Sequence, residues 1–216
     1  MPLHILRLFA PAGAACILLG IIVAALRFRG RQAEHYSFLN HFISELGEVG
    51  VSRSAWAFNL GLILGGLIML PFLIELGIAF RSLLAWLGVA AGVLAALGVT
   101  AVGIFPLNRL TAHAAAAITY FRSGLAMIFF FGLAIFVQPQ GKILVPKSLN
   151  LLSLGAFLVY AAFLIRLARA KPVRPPEEEL NPLSNPARPH IWLSAVMEWA
   201  VFLVSILWVV GIAFSL

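Results

Sequence analysis

The sequence predicts an all-α fold: a polytopic integral membrane protein with six transmembrane helices and one short amphipathic interfacial helix. Two observations carry this. Of 216 residues, 62% are hydrophobic and only 11% charged, with a mean hydropathy of +1.02. A water-soluble domain of this size would leave too much of that apolar surface exposed. The apolar runs are also long and unbroken, unlike the short alternating segments of barrel strands. In lipid, where backbone polar groups must pair within the chain, such runs become helices.

The first span covers about 8–26 and stops at Arg27, Arg29 and Arg31. Its apolar run continues past the small cluster Ala12-Gly13-Ala14-Ala15, so an uncleaved helix is expected rather than a signal peptide. The second (55–80) and third (82–105) are separated by little more than Arg81, which predicts a tight hairpin. Pro106-Leu107-Asn108-Arg109 breaks the chain before the fourth span, 111–137. That span ends at Gln138-Pro139-Gln140-Gly141-Lys142, and the fifth covers 147–168. Segment 171–189 carries Pro172, Pro175, Pro176, Pro182, Pro186 and Pro189 with Glu177, Glu178 and Glu179, the composition of a solvated loop. The sixth span covers 190–214, and one transmembrane domain accounts for 1–216. Gly61 and Gly65, and Gly88 and Gly92, have the four-residue spacing that lets helix backbones approach. A packed hairpin follows, and homo-oligomerisation through the same faces stays open. The lone Cys16 excludes an internal disulfide and a cysteine zinc site.

Six spans put both termini on one side. That side carries Arg7, Arg81, Lys142 and Lys147. The other carries Arg27, Arg29, Arg31, Arg53, Arg109, Arg166, Arg169, Lys171, Arg174 and Arg188. Basic residues stay cytoplasmic, so both termini are expected outside a cell membrane, plasma or inner. The same distribution argues against nucleic acid as the partner, despite a net charge of +7. Membrane lipid is the expected neighbour.

Ser37–Gly47 reads SFLNHFISELG. Phe38, Leu39, Phe42, Ile43 and Leu46 fall on one helical face, Asn40, His41, Ser44 and Glu45 on the other. Ser37 suits an N-cap and Gly47 a C-cap. This predicts the amphipathic helix over 37–47, lying at the interface or folded back into the bundle. His41 and Glu45, four apart, suit either a shared metal or an ion pair. His113 opens the fourth span, with Tyr120 seven residues on along the same face. Glu198 lies eight residues into the sixth, about 12 Å deep at 1.5 Å per residue. Intramembrane carboxylates face the interior and need a partner, and Arg122, at similar depth, is the expected one. His41, Ser44, Glu45, Asn59, His113, Glu198 and Arg122 thus form one set of candidates for a polar cavity near the cytoplasmic face.

Tyr36-Ser37, Ile43-Ser44-Glu45-Leu46-Gly47, Asn59, Gly103-Ile104-Phe105-Pro106 with His113, and Glu198 in a Trp-containing last helix together resemble the prokaryotic membrane proteins catalogued as domain of unknown function 998. The resemblance covers nearly the whole chain and implies a six-helix membrane protein without an assigned reaction. That family commonly has Arg after the Glu of its last helix, where this chain has Trp199.

Three functions compete. A cavity could bind or carry a lipid, a small solute or a proton, with Glu198 and His113 as titratable groups. A metal-dependent intramembrane hydrolase would use His41, Glu45 and His113 as ligands for one divalent ion, with Ser44 as an orienting donor. No His-Glu-x-x-His motif exists, so such a site would be assembled from distant segments. A structural or accessory subunit would use the same polar residues only to lock the bundle. Haem carriage would need His113 and His190 to face each other.

Overall fold

A computed structural model describes residues 3–139, 141, 143–169 and 188–216. A single helical turn, α1 (Leu3–Leu6), precedes six long helices: α2 (Phe9–Arg27), α3 (Ala55–Phe80), α4 (Leu83–Ile104), α5 (Leu110–Phe136), α6 (Asn150–Arg169) and α7 (Leu193–Ser215). All six are long and apolar enough to cross a membrane; the fifth run, Lys147–Arg169, includes the 3₁₀ turn Lys147–Leu149 that leads into α6. No strand occurs among the described residues. The 171–187 part of the expected Pro/Glu-rich loop lies outside them.

Local chemistry sets the helix ends. The α3–α4 connection is only Arg81 and Ser82. Arg81 takes the left-handed conformation (φ 50°) and returns its N–H to Gly77, and the Ser82 hydroxyl accepts from the Ala85 amide (3.2 Å). After α5, the buried Gln138 amide donates to Ile135 and Val145 carbonyls and accepts from the Leu144 and Val145 amides. One side chain thus satisfies a loop backbone that has little water to bond to.

Each spanning helix packs on the next, and α7 returns to α2, closing a ring. Lipid supplies no hydrophobic drive between helices, so close backbone approach holds them. Gly20 and Gly61 meet where α2 crosses α3, and Gly103 lies on the backbone of Asn59 where α4 meets α3. Gly61 and Gly65 therefore pack against the first span rather than the third, and Gly88 and Gly92 against Phe131 and Met127. These faces are filled within one chain. The outer surface carries Leu19, Leu26, Leu64, Leu94, Leu154, Leu158, Leu207 and Phe214, as contact with lipid requires.

A ring of six has a geometric consequence. At axis separations of about 8–10 Å the centre is equally far from every axis. Helices about 10–12 Å in diameter then leave a hole a few ångströms in radius unless large side chains converge there. Here Gly66, Gly92, Ala95, Ala96, Ala117 and Gly124 face it, so it stays open.

The 37–47 segment is not an amphipathic α-helix. Residues 38–41 form turns, with the Asn40 and His41 amides donating to Ser37. Only Ile43–Gly47 is helical, as one 3₁₀ turn. Tertiary partners replace the helical ladder. Glu45 turns back to accept the Phe42 amide (2.8 Å), Glu198 accepts the Ile43 amide (2.7 Å), and Asn59 donates to the Gly47 carbonyl (3.0 Å). Ile43, Leu46 and Gly47 are buried, so the segment folds back into the bundle end.

Candidate functional site

The hole is an elongated cavity lined by all six spanning helices and by Ile43 and Ser44 of the folded-back loop. It extends along α7 from Glu198 to Val209 and along α3 from Phe58 to Leu73, about 20 Å of helical rise. Its wall is apolar, with two polar tiers. Ser44, His113 and Glu198 form the first, at the loop end. Tyr120, Tyr160 and Ser205 form the second, seven residues deeper on α5 (from His113) and on α7 (from Glu198). Seven residues are nearly two helical turns, so each helix presents both its groups on one face.

In the first tier, Glu198 is buried and its Oε2 accepts the Ile43 amide, which fastens the loop over the cavity end. The His113 Nδ1 lies 2.9 Å from the Phe105 carbonyl. A carbonyl can only accept, so Nδ1 carries the proton and a neutral ring presents Nε2 as an acceptor. In the second tier, the Ser205 hydroxyl donates to the Val201 carbonyl (2.6 Å). Its oxygen lies 2.6 Å from the Tyr160 hydroxyl and 3.0 Å from that of Tyr120, and the Tyr160 hydroxyl also lies 3.2 Å from that of Tyr120, so the phenol protons are shared within this cluster. Tyr160 and Ser205 were absent from the expected set. Ser205 continues the Glu198 stripe and was within reach of periodicity; Tyr160, isolated on α6, carried no such signal.

The other expected cavity residues have different partners. His41 is 2% exposed, edge-on to Phe28 and tilted against Tyr36, with Nδ1 against the Ser37 backbone and Nε2 3.7 Å from Glu34 Oε1. Glu45 accepts both Nη1 (2.9 Å) and Nη2 (3.0 Å) of Arg188. Asn59 binds the Gly47 carbonyl and does not line the cavity. His41, Glu45 and His113 therefore do not form the expected metal trio, and no group of three His, Cys, Asp or Glu is placed to hold a metal ion among the described residues. His190 is exposed while His113 faces the cavity, so they do not make a haem pair.

Arg122 does not pair with Glu198. It is exposed on the outer face of α5, between buried Phe121 and Ser123, twelve residues from the start of the helix at Leu110. Replacing Arg122 with leucine is therefore expected to leave the melting temperature of the detergent-solubilised protein almost unchanged, within about 0.5 kcal/mol. A large loss would restore the Glu198–Arg122 pair.

Outside the cavity, on the far side of the loop, Arg31 pairs with Glu48, and Glu34, Glu45 and Arg188 border a second, polar hollow. Burial raises the Glu34 carboxyl, but its own amide, that of Gln32 and the His41 ring together hold it below the usual carboxylate range. Trp199 Nε1 donates to the Tyr36 hydroxyl (2.9 Å), which in turn donates to the Phe42 carbonyl (3.2 Å). Burial pushes the Tyr36 phenol far above its ordinary range, against the pull of Trp199, so it keeps its proton and this bond. Replacing Trp199 with phenylalanine is expected to destabilise by about 1 kcal/mol, the net worth of one hydrogen bond; thermal unfolding beside Arg122→Leu measures it.

A model of the family described as proteins of unknown function, DUF998, matches residues 11–215. The chain belongs to the DUF998 family. No curated protein and no solved structure matches it. In this DUF998 chain the stretches that carry the resemblance meet at one junction. Glu198 and Asn59 hold the two ends of the Ile43–Gly47 turn, and His113 and Ser44 stand beside it on the cavity wall. Trp199, in the position where an Arg was expected, ties α7 to the same loop through Tyr36.

Proposed function

We propose that this integral membrane protein binds a lipid-like amphiphile in the central cavity, with the polar end at Ser44, His113 and Glu198 and the hydrocarbon running down between the helices. The carrying observation is the cavity itself: a mostly apolar wall contributed by all six spanning helices, with Ser44, His113 and Glu198 together at the loop end. Ligand pockets combine an apolar wall with a few placed polar groups. The apolar part suits a tail, and the polar end fixes its direction.

Native mass spectrometry and lipid extraction of protein purified in mild detergent test this. The expected result is a retained amphiphile near one per chain. Ala117 lines the cavity, so Ala117→Phe is expected to fill it and release the amphiphile from a still-folded protein. Retention unchanged by Ala117→Phe, or a wild-type protein that takes up neither lipid nor an apolar fluorophore, would sink the reading.

For orientation, we infer that both termini lie outside and that the 28–54, 105–109 and 170–192 connections are cytoplasmic, from the excess of Lys and Arg in those connections. The cavity's polar end then opens toward the cytoplasm. A cysteine introduced at Ser184 should resist an impermeant thiol reagent in intact cells and react after permeabilisation. Efficient labelling of intact cells would reverse the orientation.

A further inference from the structure

The hydrogen-bonding inventory of the cavity is one-sided. A neutral His113 spends its proton on Phe105. Ser205 spends its own on Val201, and the Tyr160 and Tyr120 protons are spent within the cluster that the two phenols form with Ser205. Glu198 Oε2 accepts the Ile43 amide, and its carboxyl has no Lys or Arg partner among the described residues. The Ser44 hydroxyl is the one lining side-chain donor with no acceptor among the described residues. No Lys or Arg among the described residues lines the space. Arg188 is committed to Glu45, Arg31 to Glu48, and Arg122 faces outward.

A polar head entering this end therefore meets the free Nε2 of His113, the Glu198 carboxyl and the Ser44 hydroxyl, and no cationic side chain. Buried acceptors are satisfied by donors, and a buried carboxylate by a donor or a cation. A phosphate or carboxylate head would bring negative charge into a mostly apolar space with no guanidinium or ammonium to receive it. We infer that the ligand is an amphiphile whose head is a hydrogen-bond donor without negative charge, an alcohol or an amine. The head would lie between Glu198 Oε1 and His113 Nε2. This rests on the amphiphile reading above and narrows it to a class of head. Phosphate-headed membrane lipids would not place their heads here.

The test is displacement of an apolar fluorophore from the purified full-length chain by four ligands sharing one tail: dodecane, dodecanol, dodecylamine and dodecyl phosphate. Dodecanol or dodecylamine is expected to bind at least about tenfold more tightly than dodecyl phosphate or dodecane, the scale of a hydrogen bond to a charged or desolvated acceptor. Glu198→Gln keeps an acceptor for the Ile43 amide and removes the group that can give a proton to an amine. It should abolish most of an amine's advantage and leave an alcohol's largely intact, which separates the two heads. If dodecane competes as well as dodecanol, the tail site stands and the head inference falls. Tightest binding by dodecyl phosphate overturns it directly. If none of the four displaces the probe, the amphiphile reading fails and the head inference with it.

Discussion

Gly20→Ala is expected to be the most damaging single-methyl change in the bundle. A Cβ on Gly20 would lie 2.5 Å from the Ala57 carbonyl oxygen and 3.2 Å from the Gly61 Cα. Both are backbone atoms of α3, so no side-chain rotation relieves the clash and the two helices must separate. Overpacking of this kind costs about 1–3 kcal/mol. Between lipid-immersed helices the loss is felt in full, because dispersion contacts along the seam are what hold it closed. Parting α2 from α3 also opens the cavity wall at Ile17 and Leu62. Gly155→Ala is the internal control. Nothing lies within 4 Å of a Cβ there, on the outer face of α6. Relief of glycine's helix penalty should make it neutral or up to about 1 kcal/mol stabilising. Thermal unfolding in one detergent compares the two. If Gly20→Ala melts with wild type, the α2–α3 crossing is wrong.

Glu198→Leu is expected to cost about 1–3 kcal/mol, the penalty for leaving the buried Ile43 amide without an acceptor. Glu198→Gln should melt close to wild type, since a side-chain carbonyl accepts the same N–H. The ordering tests what Glu198 does. Partnership with Arg122 would make the glutamine and leucine variants similarly damaging, because both lose the charge. Capping of the folded-back loop makes only leucine damaging. Equal stability of all three proteins would mean the loop is held by other contacts, leaving Asn59 with the Gly47 carbonyl and Trp199 with Tyr36 to do it. Faster proteolysis within 37–47 in the leucine variant is the accompanying sign of a loosened loop.

Ser44, His113 and Glu198 were legible as cavity candidates because a polar group inside or beside an apolar run has few places to go. Tyr120 followed from His113 by a seven-residue step along one helical face, and the same step from Glu198 leads to Ser205. Arg122 was misplaced for a definite reason. The spanning helices are apolar on nearly every side, so residue type says little about which way a position points. Phe121 and Ser123 are buried while Arg122 between them is not. Glu45 was drawn to His41 by spacing, but a guanidinium from Arg188, far along the chain, supplies two hydrogen bonds that a neighbouring imidazole cannot. The 37–47 pattern read as an amphipathic helix because its apolar positions do share a helical face. Capping groups from α3 and α7 made a compact 3₁₀ turn with surrounding loop the better solution.

By itself the sequence determined that the chain spans a membrane as six helices, because run length and hydropathy are local properties that lipid reads directly. It also determined that a few polar side chains lie near one end, since the order of spans and connections places them there. The tertiary structure alone decided that the helices close into a ring, that small residues leave its centre open, and which polar groups face that space. Those depend on the rotation of each helix about its axis. Rotation is set by backbone contacts such as Gly20 with Gly61, between segments far apart in the chain, and a nearly uniform apolar surface does not encode it.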